Sequence, residues 1–233
     1  LMNTPTTTLD APARPVSTPS DLGSGLTFEA RFATPGISPF DDIEWDHRTA
    51  EITDDSGKAM FRQENVEVPK PWSELATKIA VSKYFYGDAS LGKDPFKGGR
   101  EQSVRQLIHR VTRTIADWGL ADGYFADEAS AENFYQDLTW LCLHQHGAFN
   151  SPVWFNIGVR GVPQQASACF ILHVDDEMDS ILNWYVEEGT IFKGGSGAGL
   201  ILSRIRSSKE LLKSSGGTAS GPVSFMRGAD ASA

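Results

Sequence analysis

Long apolar runs, an export signal and a cysteine framework are all missing from this sequence. Its longest apolar stretches, such as Leu200-Ile201-Leu202, fall far short of the roughly 20 residues a membrane span requires, so no membrane partner is expected. Residues 1–24 are rich in Thr, Pro, Ala and Ser but hold neither a basic stretch nor an apolar one, which excludes a secretory signal. Residues 1–25 read instead as a disordered tail. Only two cysteines, Cys142 and Cys169, occur in 233 residues. They are too few for a disulfide scaffold, and without an export signal they point to the reducing cytoplasm, where a disulfide serves chemistry rather than structure. An excess of positive charge is missing too, since 21 basic against 30 acidic residues give −9. That balance argues against gripping a nucleic-acid polymer, where many phosphates must be neutralised together. A single nucleotide needs only one cation and a few backbone N–H groups, and stays open.

What is present divides the chain by its periodicity. From Leu26 to Val68 short apolar patches alternate with turn residues and acids, among them Asp54-Asp55-Ser56-Gly57, as short strands and loops do. Pro71 can open a helix with Trp72, Leu75, Ala76, Ile79 and Ala80 on one face. A second helix carries Val104, Leu107, Ile108, Val111, Ile115 and Trp118 at helical spacing, with Arg105, Arg110 and Arg113 between them. A third runs over residues 131–146, with Phe134, Leu138, Leu141, Cys142 and Gln145 along a stripe. Beyond Phe149 the pattern changes. An apolar run over residues 166–174 fits a strand, Asp176 offers an N-cap, and Met178, Ile181, Leu182 and Tyr185 form the stripe of a following helix. After a glycine-rich turn, residues 200–205 form a second strand, which makes a βαβ unit with parallel pairing. Pro222 to Gly228 begins another helix. Two parallel strands cannot close a core, so the chain reads as part of something larger.

Few residues declare chemistry by pattern alone. Cys169, within a strand, is either a small buried hydrophobe or a redox thiol, and Cys142 lies on an apolar stripe. Two glycine-rich stretches, Gly194 to Gly199 and Gly216 to Gly221, could receive phosphate, yet neither has the Lys-Ser/Thr ending of a P-loop. His144 and His146, two apart on a helix, point in different directions, and no metal site is expected. Asp41, Asp42, Glu44 and Asp46 read as a solvated loop, and Glu187-Glu188 as a solvated helix end.

Longer words in the sequence carry further. In order they are Gly147-Ala-Phe-Asn-Ser-Pro-Val-Trp-Phe-Asn156, Gln165-Ala-Ser-Ala-Cys-Phe-Ile-Leu172, Asp176 to Ser180, Lys193-Gly-Gly-Ser-Gly-Ala-Gly199, Ser203-Arg-Ile-Arg206 and Ser220-Gly-Pro-Val-Ser-Phe-Met226. The series resembles the start of the large-chain barrel of class II ribonucleotide reductases, the adenosylcobalamin-dependent type. Val68-Pro-Lys-Pro-Trp-Ser73, Lys83-Tyr-Phe85 and Ser103-Val-Arg-Gln-Leu107 through Asp117-Trp-Gly119 are similar to that family's N-terminal region.

The resemblance covers residues 36–233 and implies an α/β fold: a mainly helical N-terminal domain over residues 26–148, then, from 149, the first strands of a ten-stranded α/β barrel. It implies replacement of a ribonucleotide's 2′-hydroxyl by hydrogen, with a thiyl radical taking the 3′ hydrogen and a dithiol becoming a disulfide. Cys169 matches one member of that dithiol, a pair that thiol exchange can re-reduce. Ser151, Ala168 and Gly197 match substrate-binding positions; Ser151 also reads as a turn residue before Pro152. Asp176 and Arg206 match positions that bind an allosteric deoxynucleotide, with rival readings as a helix cap and a surface charge, and Lys213 is a further candidate for effector phosphate. The implied partners are a ribonucleotide substrate, a deoxynucleotide effector, a thioredoxin-type reductant and a second copy in a homodimer. In the family pattern the radical cysteine and the second dithiol cysteine lie beyond Ala233, so residues 1–233 alone are expected to show no turnover. An iron-dependent class I reductase and a non-catalytic nucleotide-binding or assembly module are the alternatives.

Overall fold

The computed structural model describes residues 25–212 and 216–232, so the tail expected over residues 1–24 and the candidate Lys213 lie outside the described residues. A long hairpin comes first, β1 (Trp45–Thr53) pairing antiparallel with β2 (Ala59–Pro69). Its turn is closed by Asp54, whose Oδ1 accepts from the backbone N–H groups of Ser56 and Lys58 at 2.9 and 3.0 Å. The register slips between Arg48 and Ala50, opposite Asn65, which sits at φ 56°. Asparagine tolerates that left-handed geometry, and the bulge turns Ala50, Val66 and Val68 into the core.

The first helix, α1 (Glu74–Ile79), opens at Ser73 and not at Pro71, because Ser73 Oγ accepts from the Ala76 N–H at 3.1 Å. Residues before it are held in a turn, closed by the Trp72 N–H to Pro69 O at 3.0 Å; Arg48 donates to the carbonyls of Trp72 and Lys70 at 2.6 and 2.8 Å, and the Trp72 indole donates to Leu143 O at 2.7 Å. The expected face holds in part, since Ala80 is buried and Trp72 and Ala76 are half-buried. Thr77, Ala80 and Val81 are buried, while Leu75 and Ile79 are 68% and 39% exposed. A π-helical turn over Ala80–Tyr84 follows.

Helices α2 (Val104–Ala121) and α3 (Glu128–Leu143) are capped by Ser103 and Asp127. They meet through Val111, Tyr135, Cys142 and Leu143 in one core, with Thr112 Oγ1 and Thr139 Oγ1 3.0 Å apart. The short α4 (Ser151–Asn156) buries Val153 and Trp154 in the same core. α3 ends at Leu143, short of the expected residue 146, so His144 and His146 lie past the helix, each stacked against the Trp140 ring. Inside this unit Asp137 accepts from the N–H groups of Arg31, Phe32 and Ala33 at 2.8 to 3.0 Å, which fastens the leading segment to α3. The unit expected to be mainly helical thus contains a hairpin that shares its core.

A second, smaller core collects Val174, Ile181, Trp184 and Ile205 around a βαβ unit. β3 (Cys169–His173) and β4 (Gly197–Ile201) pair in parallel, with α5 (Met178–Lys193) between them, and α6 (Gly221–Ser232) extends the expected helix. Four expectations change here. The second strand begins inside the glycine-rich stretch, at Gly197. The N-cap of α5 is Glu177, and Asp176 bonds Arg206 instead. The buried stripe of α5 is Ile181, Trp184 and Glu188, whereas Met178 and Leu182 are exposed. Glu188, read as solvated, is buried and accepts from the Ser232 hydroxyl at 2.9 Å. The described sheet has two strands and no closure. Among the described residues no helix is long and apolar enough to cross a membrane.

Glu101 and Arg110 join these parts. Glu101, 2% exposed, accepts from Arg110 Nε at 2.7 Å and from Tyr86 N–H at 2.9 Å, and Arg110 also donates to Ile157 O and Trp154 O at 2.7 and 3.0 Å. Removing one partner strands a charge in the interior. Glu101→Ala is therefore expected to cost about 3–5 kcal/mol in urea unfolding, and pairing Glu101→Leu with Arg110→Met to recover much of it; a single substitution costing under about 1 kcal/mol would contradict this role.

Candidate functional site

The site residues expected from the sequence gather at the two ends of β3. At its N-terminal end, Ser151 is the first residue of α4, with its hydroxyl 3.1 Å from the Tyr84 hydroxyl and exposed to solvent. Pro152 sits in the first turn, where a missing N–H costs nothing, and Asn150 caps the helix. The Asn150 side-chain amide also donates to Ala166 O at 3.1 Å, tying the start of α4 to the segment that leads into β3.

Ala168, Cys169 and Gly197 come together directly. The Gly197 N–H donates to Ala168 O at 2.7 Å, and Cys169 is the register partner of Gly197. Alternation along the strands puts Cys169, Ile171, Gly197 and Gly199 on one exposed face, while Phe170, Leu172, Ala198 and Leu200 are partly buried on the other. Ile171 is 76% exposed, so the sheet face bearing the thiol is open. Gly197 needs no glycine for its fold: its φ is not positive, and a Cβ there would meet nothing nearer than Ala168 O at 3.7 Å. The strip beside the thiol is bare although the backbone would accept a side chain.

The lead-in segments are locked to each other by side chains that the sequence did not single out. Gln165 Nε2 donates to Ser196 Oγ, and Ser196 Oγ donates to Ser167 O at 2.5 Å. Ser196 is buried. Nothing in a lone serine among glycines marks it in the sequence.

At the C-terminal end of β3 lie Asp176 and Arg206, 30 residues apart and joined, with Arg206 Nε to Asp176 Oδ2 at 2.5 Å and Arg206 N–H to Oδ1 at 3.2 Å. The hydrogen bond from Arg206 holds the Asp176 carboxyl below the usual carboxylate range. A parallel pair stands beside it, Arg204 to Asp175 at 2.6 Å, with His173 Nε2 3.4 Å from the same carboxyl. This corner therefore presents two arginines and a histidine balanced by two acids.

Cys142 differs from Cys169 in every respect. It is buried in the helical core, and burial pushes its thiol up to about 12, so it stays protonated and unreactive. Of the two glycine-rich stretches, the first closes α5 and enters β4, leaving no helix N-terminus over it; the second precedes α6, with Gly221 at φ 72°. Among the described residues no three His, Cys, Asp or Glu side chains converge as a metal site would.

Two family models match the chain, one after the other. The family described as class II vitamin B12-dependent ribonucleotide reductase matches residues 46–145, and the family described as ribonucleotide reductase, barrel domain, matches residues 167–233. The vitamin B12-dependent ribonucleotide reductase of Streptomyces avermitilis is 54% identical over 229 residues, covering 98% of this chain and 23% of its own. That of Streptomyces coelicolor is 55% identical, covering 91% and 21%, and that of Rhodopirellula baltica 51% identical, covering 88% and 22%. The chain spans about a fifth of the length of these relatives. With an N-terminal match, a barrel match in the same order and identities above one half, the chain belongs to the class II vitamin B12-dependent ribonucleotide reductase family.

Proposed function

We propose that the whole protein of which these residues form part reduces ribonucleotides to 2′-deoxyribonucleotides, with residues 26–148 as its N-terminal domain and residues 149–233 as the opening of a ten-stranded α/β barrel. The observation that carries this reading is the Cys169 thiol on an open strand face beside a glycine that the backbone does not require. Ser151, Ala168 and Gly197 offer a hydroxyl and backbone groups to ribose or phosphate at the same end of the sheet. Relatives named as B12-dependent favour the class II reading over an iron-dependent one.

In the reaction the substrate loses its 3′ hydrogen to a thiyl radical, its 2′-hydroxyl leaves as water, and two thiols supply two electrons and two protons as they form a disulfide. The 3′ hydrogen is then returned. Cys169 is one of those thiols, and a thioredoxin-type protein reduces the disulfide by exchange. Adenosylcobalamin is the cofactor this reading gives the whole protein. The residues described do not enclose such a group, and the sheet face with Cys169 is exposed among them. Asp176 and Arg206 are the proposed effector contacts, at the far end of β3 in the cytoplasmic enzyme.

Two expectations follow for the full-length protein. Cys169→Ser abolishes multiple turnover with an external dithiol, whereas Cys142→Ser keeps it; a turning-over Cys169→Ser enzyme would return that thiol to a structural role. Charge-assisted bonds to phosphate are worth about 1.5–3 kcal/mol, so Arg206→Ala is expected to weaken deoxynucleoside triphosphate binding roughly 10- to 100-fold in titration calorimetry. Unchanged affinity would remove Arg206 from the effector site.

A further inference from the structure

We infer that Ser196, with Gln165, is a positioning residue for Cys169: a buried hydroxyl that fixes the thiol-bearing strand start against Gly197. The inference rests on the reading of Cys169 as a redox thiol. Ser196 touches neither the Cys169 side chain nor any group proposed to hold substrate. It sits between three parts of the backbone that the site needs in register.

The hydroxyl uses both its capacities. It accepts from the Gln165 side-chain amide and donates to Ser167 O at 2.5 Å, and the next residue, Gly197, donates its N–H to Ala168 O at 2.7 Å. Three of the four residues before Cys169 are thus tied from the β4 side, by bonds at 165, 167 and 168. Gln165 Nε2 also reaches Gly194 O at 3.5 Å, and Asn156 Nδ2 from the end of α4 reaches the same carbonyl at 3.4 Å. A Cβ at Gly194 would come within 2.6 Å of Gln165 Oε1, so a side chain there would push the Gln165 amide out of its place. The clamp therefore joins the end of α5, the end of α4 and the lead-in to β3.

Why a clamp is needed follows from the openness of the strand pair. β3 and β4 are five residues each, and the face of β3 that carries Cys169 has no covering element among the described residues. Short strand ends fray, and the thiol stands on the first residue of its strand. A dithiol reaction needs its sulfur held to within a fraction of an ångström through formation and reduction of the disulfide. Within the described residues, buried hydrogen bonds one step behind the sulfur hold the strand start. Alanine at 196 deletes both bonds and leaves Ser167 O and the Gln165 amide without these partners, while threonine keeps the hydroxyl.

The test uses the full-length enzyme as wild type, Ser196→Ala, Ser196→Thr and Gln165→Ala. Amide exchange read by mass spectrometry is expected to quicken at least about tenfold in peptides over residues 166–170 and 197–199 in Ser196→Ala and Gln165→Ala, as loss of a local closing contact does. Steady-state kinetics with a saturating dithiol are expected to show kcat lowered about tenfold or more with KM changed less than about threefold, the signature of a lost reaction geometry rather than lost binding. Ser196→Thr is expected to restore most of both. Unchanged exchange overturns the clamp. Faster exchange with unchanged kcat overturns its role in positioning, as does a loss that threonine does not repair. A wild-type enzyme without reductase activity refutes the proposed function instead, and the exchange measurement tells the two failures apart.

Discussion

The buried pair of Arg110 and Glu101 is the interaction on which the other parts of this chain depend. A guanidinium has its donors in a fixed planar fork, and here the fork reaches three acceptors on two segments: the Glu101 carboxylate, and Trp154 O and Ile157 O at the end of α4. Glu101 in turn holds the Tyr86 N–H. Two of the carbonyls that Arg110 satisfies belong to the end of α4, whose first residue is Ser151 and whose cap, Asn150, reaches Ala166 O. A charge on α2 is thereby bonded to one end of α4, whose other end is bonded to the strand lead-in that carries Cys169. Hydrophobic contact alone is non-directional and would hold α4 against the core without these directed ties.

The two cysteines show how environment divides identical side chains. Cys142 lies among Leu143, Val111 and Tyr135, where ionisation is suppressed, and it behaves as a small apolar residue. Cys169 occupies the first position of a strand, where alternation turns its side chain to an open face and the neighbouring chain offers a glycine. The Gly197 position makes the same point from the other side. Glycine commonly marks a backbone that must turn through positive φ, yet here the strand is regular and a Cβ would fit. What glycine leaves is room above the sheet next to sulfur.

Much of this was legible beforehand, and the exceptions have physical causes. The stripe Val104, Leu107, Ile108 and Val111 reads as a helix because one face has one environment, and the structure buries those residues. The start of α1 misleads because Arg48 and Trp72 hold residues 70–72 in a turn, which delays the helix to Ser73; of the expected face Ala80 is buried, while Thr77 takes the inner place that Leu75 and Ile79 leave. On α5, periodicity favours Met178 and Leu182 by hydrophobicity, whereas the inner stripe includes Glu188, a carboxylate satisfied by Ser232 from a later helix. No local pattern announces a partner 44 residues away. At the site the words around Cys169 and Gly197 were informative, and the register that makes them neighbours agrees with them. Ser196 and Gln165 were invisible because their meaning is a bond between two segments, not a property of either.

The placement of the two residue groups on β3 has a mechanical consequence for the proposed function. Cys169 opens the strand and Asp176 follows its end, so with about 3.3 Å per residue the two groups stand on the order of 20 Å apart along one chain segment. Over Cys169–His173 β3 is paired residue for residue with β4, Gly197–Ile201, and the chain continues from there to Asp176 and to Arg206. Ion pairs fasten the far end, Arg206 to Asp176 and Arg204 to Asp175, and buried hydrogen bonds fasten the near end. A nucleotide that drew Arg206 away from Asp176 would act on both strands of the ladder at once, since each end carries a tie between the same two strands. A parallel strand pair fastened at both ends conveys a shift in register along its length, where a single loose segment would absorb it. Coupling between an effector at one end and a thiol at the other therefore requires no moving domain, only two strands that cannot slide independently.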